Sequence, residues 1–399
     1  MPSLLKDKRI VLGVTGSIAC YKAADLASKL TQEGALVDTV MTRSATEFIS
    51  PLTFTSLTHR PTITDMFAQD SPQAIQHVFL AREADILVIA PATAHVIARL
   101  AHGLADDFLT TTALATKAPI LVAPAMDVNM YQNVATRDNV EILKKRGFTF
   151  AGPAMGRMAS GETGLGRMVE VPELIEHISL VLGRTGDLAG RRVVVTAGGT
   201  QEPIDPVRVV TNRSSGKMGY ALACAARDRG ASVTLVTAPT SLAAPVGVEV
   251  VQVMTAAQMR DAVLDAVKDC DVLVMAAAVA DYTPMETSAQ KVKKGAGKWT
   301  LEMVKTPDIL SEAKGGFIKV GFAAETHDLI ANAKEKLTRK GLHLIAANDV
   351  TDPAGGFSSE DNRVTLIDAD GNQEELPLMS KYDVAHHILG RVVKLLQAR

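Results

Sequence analysis

Short, unbroken apolar runs, each followed by a glycine-bearing turn and then by helical periodicity, dominate this 399-residue chain. The pattern occurs twice. Near the start, Arg9–Val14 (RIVLGV) leads through a Thr-Gly-Ser turn into a helical stretch over about Ile18–Gln32, and Leu36–Met41 resumes as a strand. In the second half, Arg192–Thr196 (RVVVT) leads through a Gly-Gly-Thr loop into a helix near Met218–Arg229, and Ser232–Val236 resumes as a strand. ADILVIAPATA (84–94) and CDVLVMAAAVA (270–280) repeat the parallel further on. Apolar runs without polar alternation are strands buried on both faces, which places helices on both sides of a parallel sheet. The expected class is α/β with two Rossmann-like lobes. Their boundary falls in GRTGDLAG (183–190), after a helix over Pro172–Leu182, giving domains 1–185 and 186–399.

Composition narrows the partners. Aromatic residues make up only 4% of the chain, too few for a stacking platform on single-stranded nucleic acid. Net charge is −2 with no long basic block, which argues against nucleic acid or an anionic membrane as a partner. The longest apolar run, about Ile86–Ala98, contains His95 and stops at Arg99, too short and too polar to span a bilayer. The opening MPSLLKDKRIVLGV has charges ahead of any apolar segment, so no leader is expected. Cys20, Cys224 and Cys270 lie far apart without metal-ligand spacing, as in a reduced, cytoplasmic protein.

GGTQEPIDPVRVVTNRSSGKMG (198–219) holds more chemistry than a turn needs. It joins a strand to a helix start, where free backbone N–H groups and the helix dipole favour an anion. It carries Asp205, Arg208, Asn212, Arg213 and Lys217, and it matches neither common phosphate-loop pattern. Gly16-Ser17 opens the first helix of the N-terminal half; the serine either caps that helix or also helps to hold a phosphate. Two segments interrupt the alternation. Met155–Met168 (MGRMASGETGLGRM) is glycine-rich and reads as a mobile flap. Glu286–Gly297 (ETSAQKVKKGAG) is a lysine-bearing loop ahead of a strand-like WTLEMVKT, either a solvated hairpin tip or a lid. The C-terminal end reads as strand Arg363–Asp368, a turn at Ala369–Asn372 and helix Lys381–Gln397.

DPVRVVTNRSSGKMG (205–219), AAAVADY (276–282), KVKK (291–294), KTPDIL (305–310), GFAAET (321–326), EKLTRKG (335–341) and AND (347–349) occur in one order. Together they resemble the phosphopantothenate–cysteine ligases over about residues 188–395. The resemblance implies joining of 4′-phosphopantothenate to L-cysteine at the expense of CTP. A carboxylate resists attack by an amine, so it is first activated at the α-phosphate as an acyl-cytidylate, releasing pyrophosphate; the amine then displaces CMP. Roles follow residue by residue. Lys291 is the lid lysine on the triphosphate. Lys336 and Lys340, four apart and so on one helix face, reach the nucleotide. Pro307, Asp308, Ile309, Leu310 and Phe322 align with cytidine-binding stretches, and Ala277 and Ala278 keep the backbone close to substrate. Asp281, just past a strand end, contacts the nucleotide or its Mg²⁺. Asn212 donates its amide to charge developing on the acyl intermediate. Arg208 supports the second step or binds phosphopantothenate. The choice of CTP over ATP rests on the resemblance alone.

In the first half, GSIACYK (16–22), TRSATEFISP (42–51), His77 in QHVFLAREADILVIAPATA, APAMDVNMY (123–131) and GRMASGETGLGRM (156–168) resemble the flavin-dependent phosphopantothenoylcysteine decarboxylases over about residues 5–180. This implies a flavodoxin-like lobe with FMN held between protomers at the strand ends. Gly16, Ser17, Thr42, Ser44 and Thr93 are the implied contacts. The flavin supplies the redox capacity that turns the substrate thiol into an electron sink for loss of CO₂, and His77 is the acid/base. The chain departs from the family pattern at His95 and Asp127, each in place of Asn, and at Ser160, in place of the proton-donating Cys. A serine hydroxyl is a far weaker acid than a thiol. An ionised Asp127 lacks the amide donor and repels a substrate carboxylate.

The leading reading is a bifunctional enzyme of coenzyme A biosynthesis with small-molecule substrates and a homo-oligomeric assembly: ligase lobes as dimers, decarboxylase lobes as trimers, a dodecamer where both form. The alternative keeps an active ligase and makes the N-terminal lobe a slow or regulatory FMN-binding unit; Ser160 and Asp127 motivate it.

Overall fold

A computed structural model describes residues 4–66, 76–294, 298–325, 327–349 and 359–399. Gly295–Gly297 of the lysine loop and Thr326 of GFAAET lie outside the described residues. The chain divides into two compact units, residues 2–182 and 183–399.

The N-terminal unit runs β1 (Arg9–Val14), α1 (Cys20–Gln32), β2 (Leu36–Met41), α2 (Pro51–Thr58), α3 (Gln76–Glu83), β3 (Ile86–Ala92), α4 (Ala94–His102), α5 (Phe108–Ala115), β4 (Ile120–Pro124), α6 (Val128–Gln132), α7 (Val134–Lys145) and β5 (Thr149–Phe150). A hairpin of β6 (Ala154–Arg157) and β7 (Thr163–Arg167) and helix α8 (Val171–Gly183) follow. The sheet order is β2-β1-β3-β4-β5, all parallel. Every residue of β3 and β4 is buried, as continuous apolar runs require. One apolar cluster pairs β1 and β3 with α1 and α8, and another pairs the opposite face with α4, α5 and α7. In this order the loops after β1 and β3 diverge, opening a crevice at the carboxyl ends of the strands.

The C-terminal unit contains β8 (Arg192–Ala197), β9 (Gln201–Pro203), β10 (Val209–Thr211), α9 (Lys217–Arg227), β11 (Ser232–Thr237), β12 (Glu249–Gln252), α10 (Ala256–Ala266) and β13 (Val272–Met275). It continues with β14 (Tyr282–Pro284), β15 (Met303–Lys305), α11 (Ile309–Glu312), β16 (Ile318–Glu325), α12 (Leu329–Lys340), β17 (Leu344–Asp349), β18 (Asp361–Asn362), β19 (Thr365–Asp368), β20 (Gln373–Glu375), β21 (Met379–Ser380) and α13 (Lys381–Gln397). Its sheet runs β12-β11-β8-β13-β16-β17-β19-β20. The first six strands are parallel, and β19 and β20 add on antiparallel. The order reverses between β8 and β13, so this lobe too opens a crevice beyond two adjacent strand ends.

Three segments differ from the sequence reading. Helix α1 starts at Cys20, after a turn in which Ser17 O accepts from Cys20 N at 3.0 Å and Ser17 Oγ from Ala19 N at 3.3 Å. Ser17 therefore shapes the approach to the helix and is not its N-cap. The long loop after β8 contains the antiparallel pair β9/β10, anchored where buried Glu202 accepts from Ala256 N at 2.8 Å. The glycine-rich flap is a hairpin whose glycines allow close approach. A Cβ at Gly164 would lie 2.8 Å from Val128 Cγ1, and one at Gly166 would lie 2.4 Å from Met126 O.

Candidate active sites

In the N-terminal lobe, the crevice is braced by Thr15, whose hydroxyl donates to Pro91 O at 2.7 Å and accepts from Thr93 N at 3.1 Å. These bonds tie the loop after β1 to the loop after β3. Beside them lies a cavity of about 550 Å³ lined by Gly16, Ser17, Thr93, Asp127, Arg157 and Ser160, with apolar walls from Ile18, Phe48, Met126, Met130, Met158 and Met168. A Cβ on Gly16 would sit 2.5 Å from Ser44 Cβ, so the loop after β1 closes directly against the end of β2. Just past β2, Thr42 Oγ1 is buried without a hydrogen-bond partner. Apolar walls, a cationic side chain at Arg157 and a glycine-lined turn suit a flat ring system carrying a phosphate, so FMN fits these residues.

Across the cavity, Ser160 Oγ donates to Asp127 Oδ2 at 2.7 Å, and Asp127 Oδ1 accepts from Asn129 N at 3.0 Å. The Ser160 hydroxyl, then the Asn129 N–H, hold the Asp127 carboxyl below its usual range. Asp127 is thus an anion facing the flap serine. Sequence reasoning missed Lys22, which also lines this cavity. It is only 5% exposed, and its ammonium donates to Met168 O at 2.9 Å and Glu170 Oε1 at 3.0 Å. A lysine in the apolar stripe of α1, between Cys20 and Ala23, was the available signal. His77 is placed elsewhere, on α3 and edge-on to Phe108 with ring centres 6.1 Å apart, and is not among the residues lining the cavity. Thr42 and Ser44 stand behind the lining rather than in it.

In the C-terminal lobe the tips of β8 and β13 are laced together. Ala277 N donates to Thr196 Oγ1 at 3.1 Å, Ala278 N to Gly198 O at 2.8 Å, and Ala280 N to Thr200 Oγ1 at 2.9 Å. Two adjoining cavities, of about 560 and 630 Å³, share Ala277, Val279, Asp281, Phe322 and Lys336. The first is completed by the 212–219 loop, Asn348, Asn362 and Lys381. Asn212 Nδ2 donates to Val279 O at 3.1 Å, bringing its amide to the β13 loop. The second is completed by Lys305–Leu310, Arg339 and Lys340. There Lys336 Nζ donates to Phe322 O at 2.8 Å, and Lys340 pairs with Asp308. Burial alone would raise the Asp308 carboxyl, but Lys340 and Ser311 outweigh it and hold it below its usual value. Asn362 and Lys381 were not singled out from sequence, because both stand more than a hundred residues from the loop they face.

Arg208 and Lys291 line neither cavity. Arg208 is turned toward Asp205, and Lys291 is exposed. Among the described residues no group of three or more His, Cys, Asp or Glu side chains forms a metal cluster, and no helix is long and apolar enough to cross a membrane.

Comparison with known proteins follows the same division. Residues 2–183 match the family described as Flavoprotein, and residues 188–396 match the DNA/pantothenate metabolism flavoprotein C-terminal domain. Over 398 residues, 98% of each chain, the sequence is 46% identical to the Coenzyme A biosynthesis bifunctional protein CoaBC of Bacillus subtilis (strain 168). The chain belongs to this bifunctional coenzyme A biosynthesis family. The namesake protein of Vibrio cholerae serotype O1 is 45% identical over 391 residues, 96% of this chain and 98% of the relative. Among solved structures, the C-terminal domain of a Coenzyme A biosynthesis bifunctional protein CoaBC matches at 40% identity with TM-score 0.46, covering 54% of this chain and all of that one. Family membership assigns phosphopantothenoylcysteine decarboxylation to the flavoprotein lobe and phosphopantothenate–cysteine ligation to the C-terminal lobe.

Proposed function

We infer that the C-terminal crevice joins 4′-phosphopantothenate to cysteine with CTP, and that the N-terminal cavity decarboxylates the product to 4′-phosphopantetheine. The observation that carries the reading is the convergence of the Asn212 amide, Asp281, Lys336 and Lys340 on two adjoining cavities that share lining residues at the switch point of the second sheet. Two adjoining spaces suit a nucleotide and an acid that must meet. The acid's carboxylate attacks the α-phosphate and pyrophosphate leaves; the cysteine amine then attacks the activated carbonyl and CMP leaves. Negative charge builds at both steps. Lys336 and Lys340 supply fixed positive charge on the nucleotide side, and the Asn212 amide supplies a donor to the acyl group. Asp281 borders both cavities and is the proposed carboxylate for Mg²⁺ on the phosphates. Pro307–Leu310 and Phe322 form the proposed base pocket.

In the N-terminal lobe, Gly16, Ser17 and Thr93 would hold FMN, with Thr42 and Ser44 backing them. When bound, FMN supplies the reversible oxidation that makes the cysteine carboxylate labile. Asp127 holds the Ser160 hydroxyl and closes the flap over the cavity. His77 enters from a second copy of the chain. Exposed apolar side chains around the cavity, Ile18 and Tyr21 at 63% and Phe48 at 52%, provide the surface for that copy. Trimeric decarboxylase lobes and dimeric ligase lobes, hence a dodecamer, are the proposed assembly.

Purified protein incubated with 4′-phosphopantothenate, cysteine, CTP and Mg²⁺ and read by mass spectrometry tests the reading. Formation of 4′-phosphopantetheine supports both activities. Accumulation of phosphopantothenoylcysteine alone supports the ligase and favours the slow or regulatory N-terminal lobe that Ser160 and Asp127 motivate. CTP left untouched refutes the ligase reading.

A further inference from the structure

Asp205 heads DPVRVVTNRSSGKMG (205–219), the signature turn of the C-terminal lobe, and its fully buried side chain organises two loops at once. Its Oδ1 accepts from Val207 N and Arg208 N, both at 2.9 Å. Its Oδ2 accepts from Arg208 Nε at 2.9 Å, from Arg208 Nη2, and from Val292 N at 3.1 Å. Arg208 Nη2 also donates to Val292 O at 2.7 Å, and the guanidinium lies over Trp299 at 4.7 Å from the ring centre. Val292 follows Lys291 in the chain, so the residue next to the lysine has both its N–H and its C=O engaged by the Asp205–Arg208 pair. Two more bonds attach the same loop to the same strand end: Ser288 N to Ile204 O at 3.0 Å and Thr287 Oγ1 to Pro203 O at 3.1 Å.

We propose that Asp205 is a positioning residue for Lys291: through Arg208 and the Val292 backbone it latches the lysine loop to the signature turn and sets where the Lys291 ammonium can reach. This rests on the reading of Lys291 as the lysine of the triphosphate. The physical reason is entropic. An exposed loop with a free lysine samples many positions, and a nearby misplacement of a charged group costs much of its stabilisation of a transition state. A buried carboxylate with charge-assisted bonds to a planar guanidinium is a stiff anchor for such a loop.

The test is a double-mutant cycle on the full-length protein, reading CMP formation with saturating 4′-phosphopantothenate and cysteine. Asp205→Asn keeps the side-chain shape and removes the charge. It should lower kcat by about ten-fold in the natural background and by less than about two-fold in Lys291→Gln, because a group acting through the lysine has nothing left to position. An equal loss in both backgrounds, or no loss in either, overturns the proposal. Lys291→Gln at the natural rate instead overturns the Lys291 reading itself. A second readout needs no activity. Trp299 is the chain's one tryptophan, so its emission reports the stacked guanidinium directly. Asp205→Asn should shift that emission and speed tryptic cleavage after Lys291, and Asp205→Glu should restore both in part. Unchanged emission and cleavage would show that no such latch holds the loop in solution.

Discussion

Replacing Gly219 with alanine should disable the ligase while leaving the decarboxylase working. Gly219 lies in the first turn of α9, packed flat on the end of β8. A Cβ there would lie 2.6 Å from Ala197 Cβ and 2.7 Å from Thr196 O. Ordinary contact begins near 3.4 Å, so the start of the helix must retreat by about 0.8 Å. Overpacking of this kind costs about 1–3 kcal/mol, and the better helix propensity of alanine returns at most about 1 kcal/mol. A net loss of about 1–2 kcal/mol lowers the melting temperature of a lobe this size by about 3–6 °C, which leaves it folded at assay temperature. The functional effect is larger than the stability effect. The same turn carries Lys217, and the loop before it carries Asn212, so both shift with the helix. A displacement approaching 1 Å costs about 100-fold in rate. Ligation is followed by CMP release, decarboxylation by supplying phosphopantothenoylcysteine directly, and stability by calorimetry. Ligation within about two-fold of the natural protein would refute the argument that this close approach positions the crevice.

Lys336→Met should reduce ligation by about 100-fold with decarboxylation of supplied adduct unchanged, since it removes fixed positive charge from both cavities; equal turnover would remove Lys336 from the site. Asp127→Asn should lower the KM for phosphopantothenoylcysteine by about five-fold, the value of one like-charge repulsion of about 1 kcal/mol at partly solvated separation, and an unchanged KM would mean that the substrate carboxylate does not approach it. His386 is 7% exposed, and burial, reinforced by the Arg229 charge, pushes its imidazole down to about 4. The native state holds it neutral while the unfolded chain takes up a proton near 6.5, so stability falls as pH drops from about 6.5 to about 4 and changes no further below that. At about pH 5 the loss is about 2 kcal/mol; unfolding of the C-terminal lobe in His386→Leu should lack this component, and an equal pH dependence in the variant would refute it.

Much of the architecture was legible in order along the chain. Apolar strands of the RIVLGV and RVVVT type, glycine turns and amphipathic helices report local conformation, because a strand buried on both faces admits few polar residues wherever it lies. Gly16-Ser17, Asn212 and the Pro307–Leu310 stretch, singled out through turn chemistry or family resemblance, lie on short segments that follow strands or open helices, and each lines one of the cavities. Strand order was not legible. It depends on which distant segments pair, and it alone turns the ends of β1 and β3, and of β8 and β13, into crevices. Lys22 was not singled out from sequence, and the fold buries it against Glu170, 148 residues away. Arg208 reads as a substrate ligand, yet its guanidinium is bound to Asp205 and Val292. His77 reads from the resemblance as an acid/base of a flavin site held between protomers, and within one chain it rests against Phe108, outside the cavity lining. Sequence thus determined the elements and the kinds of chemistry they carry. Tertiary packing decided which of those groups face a common space, because a long polar side chain takes its direction from partners brought near only by the fold.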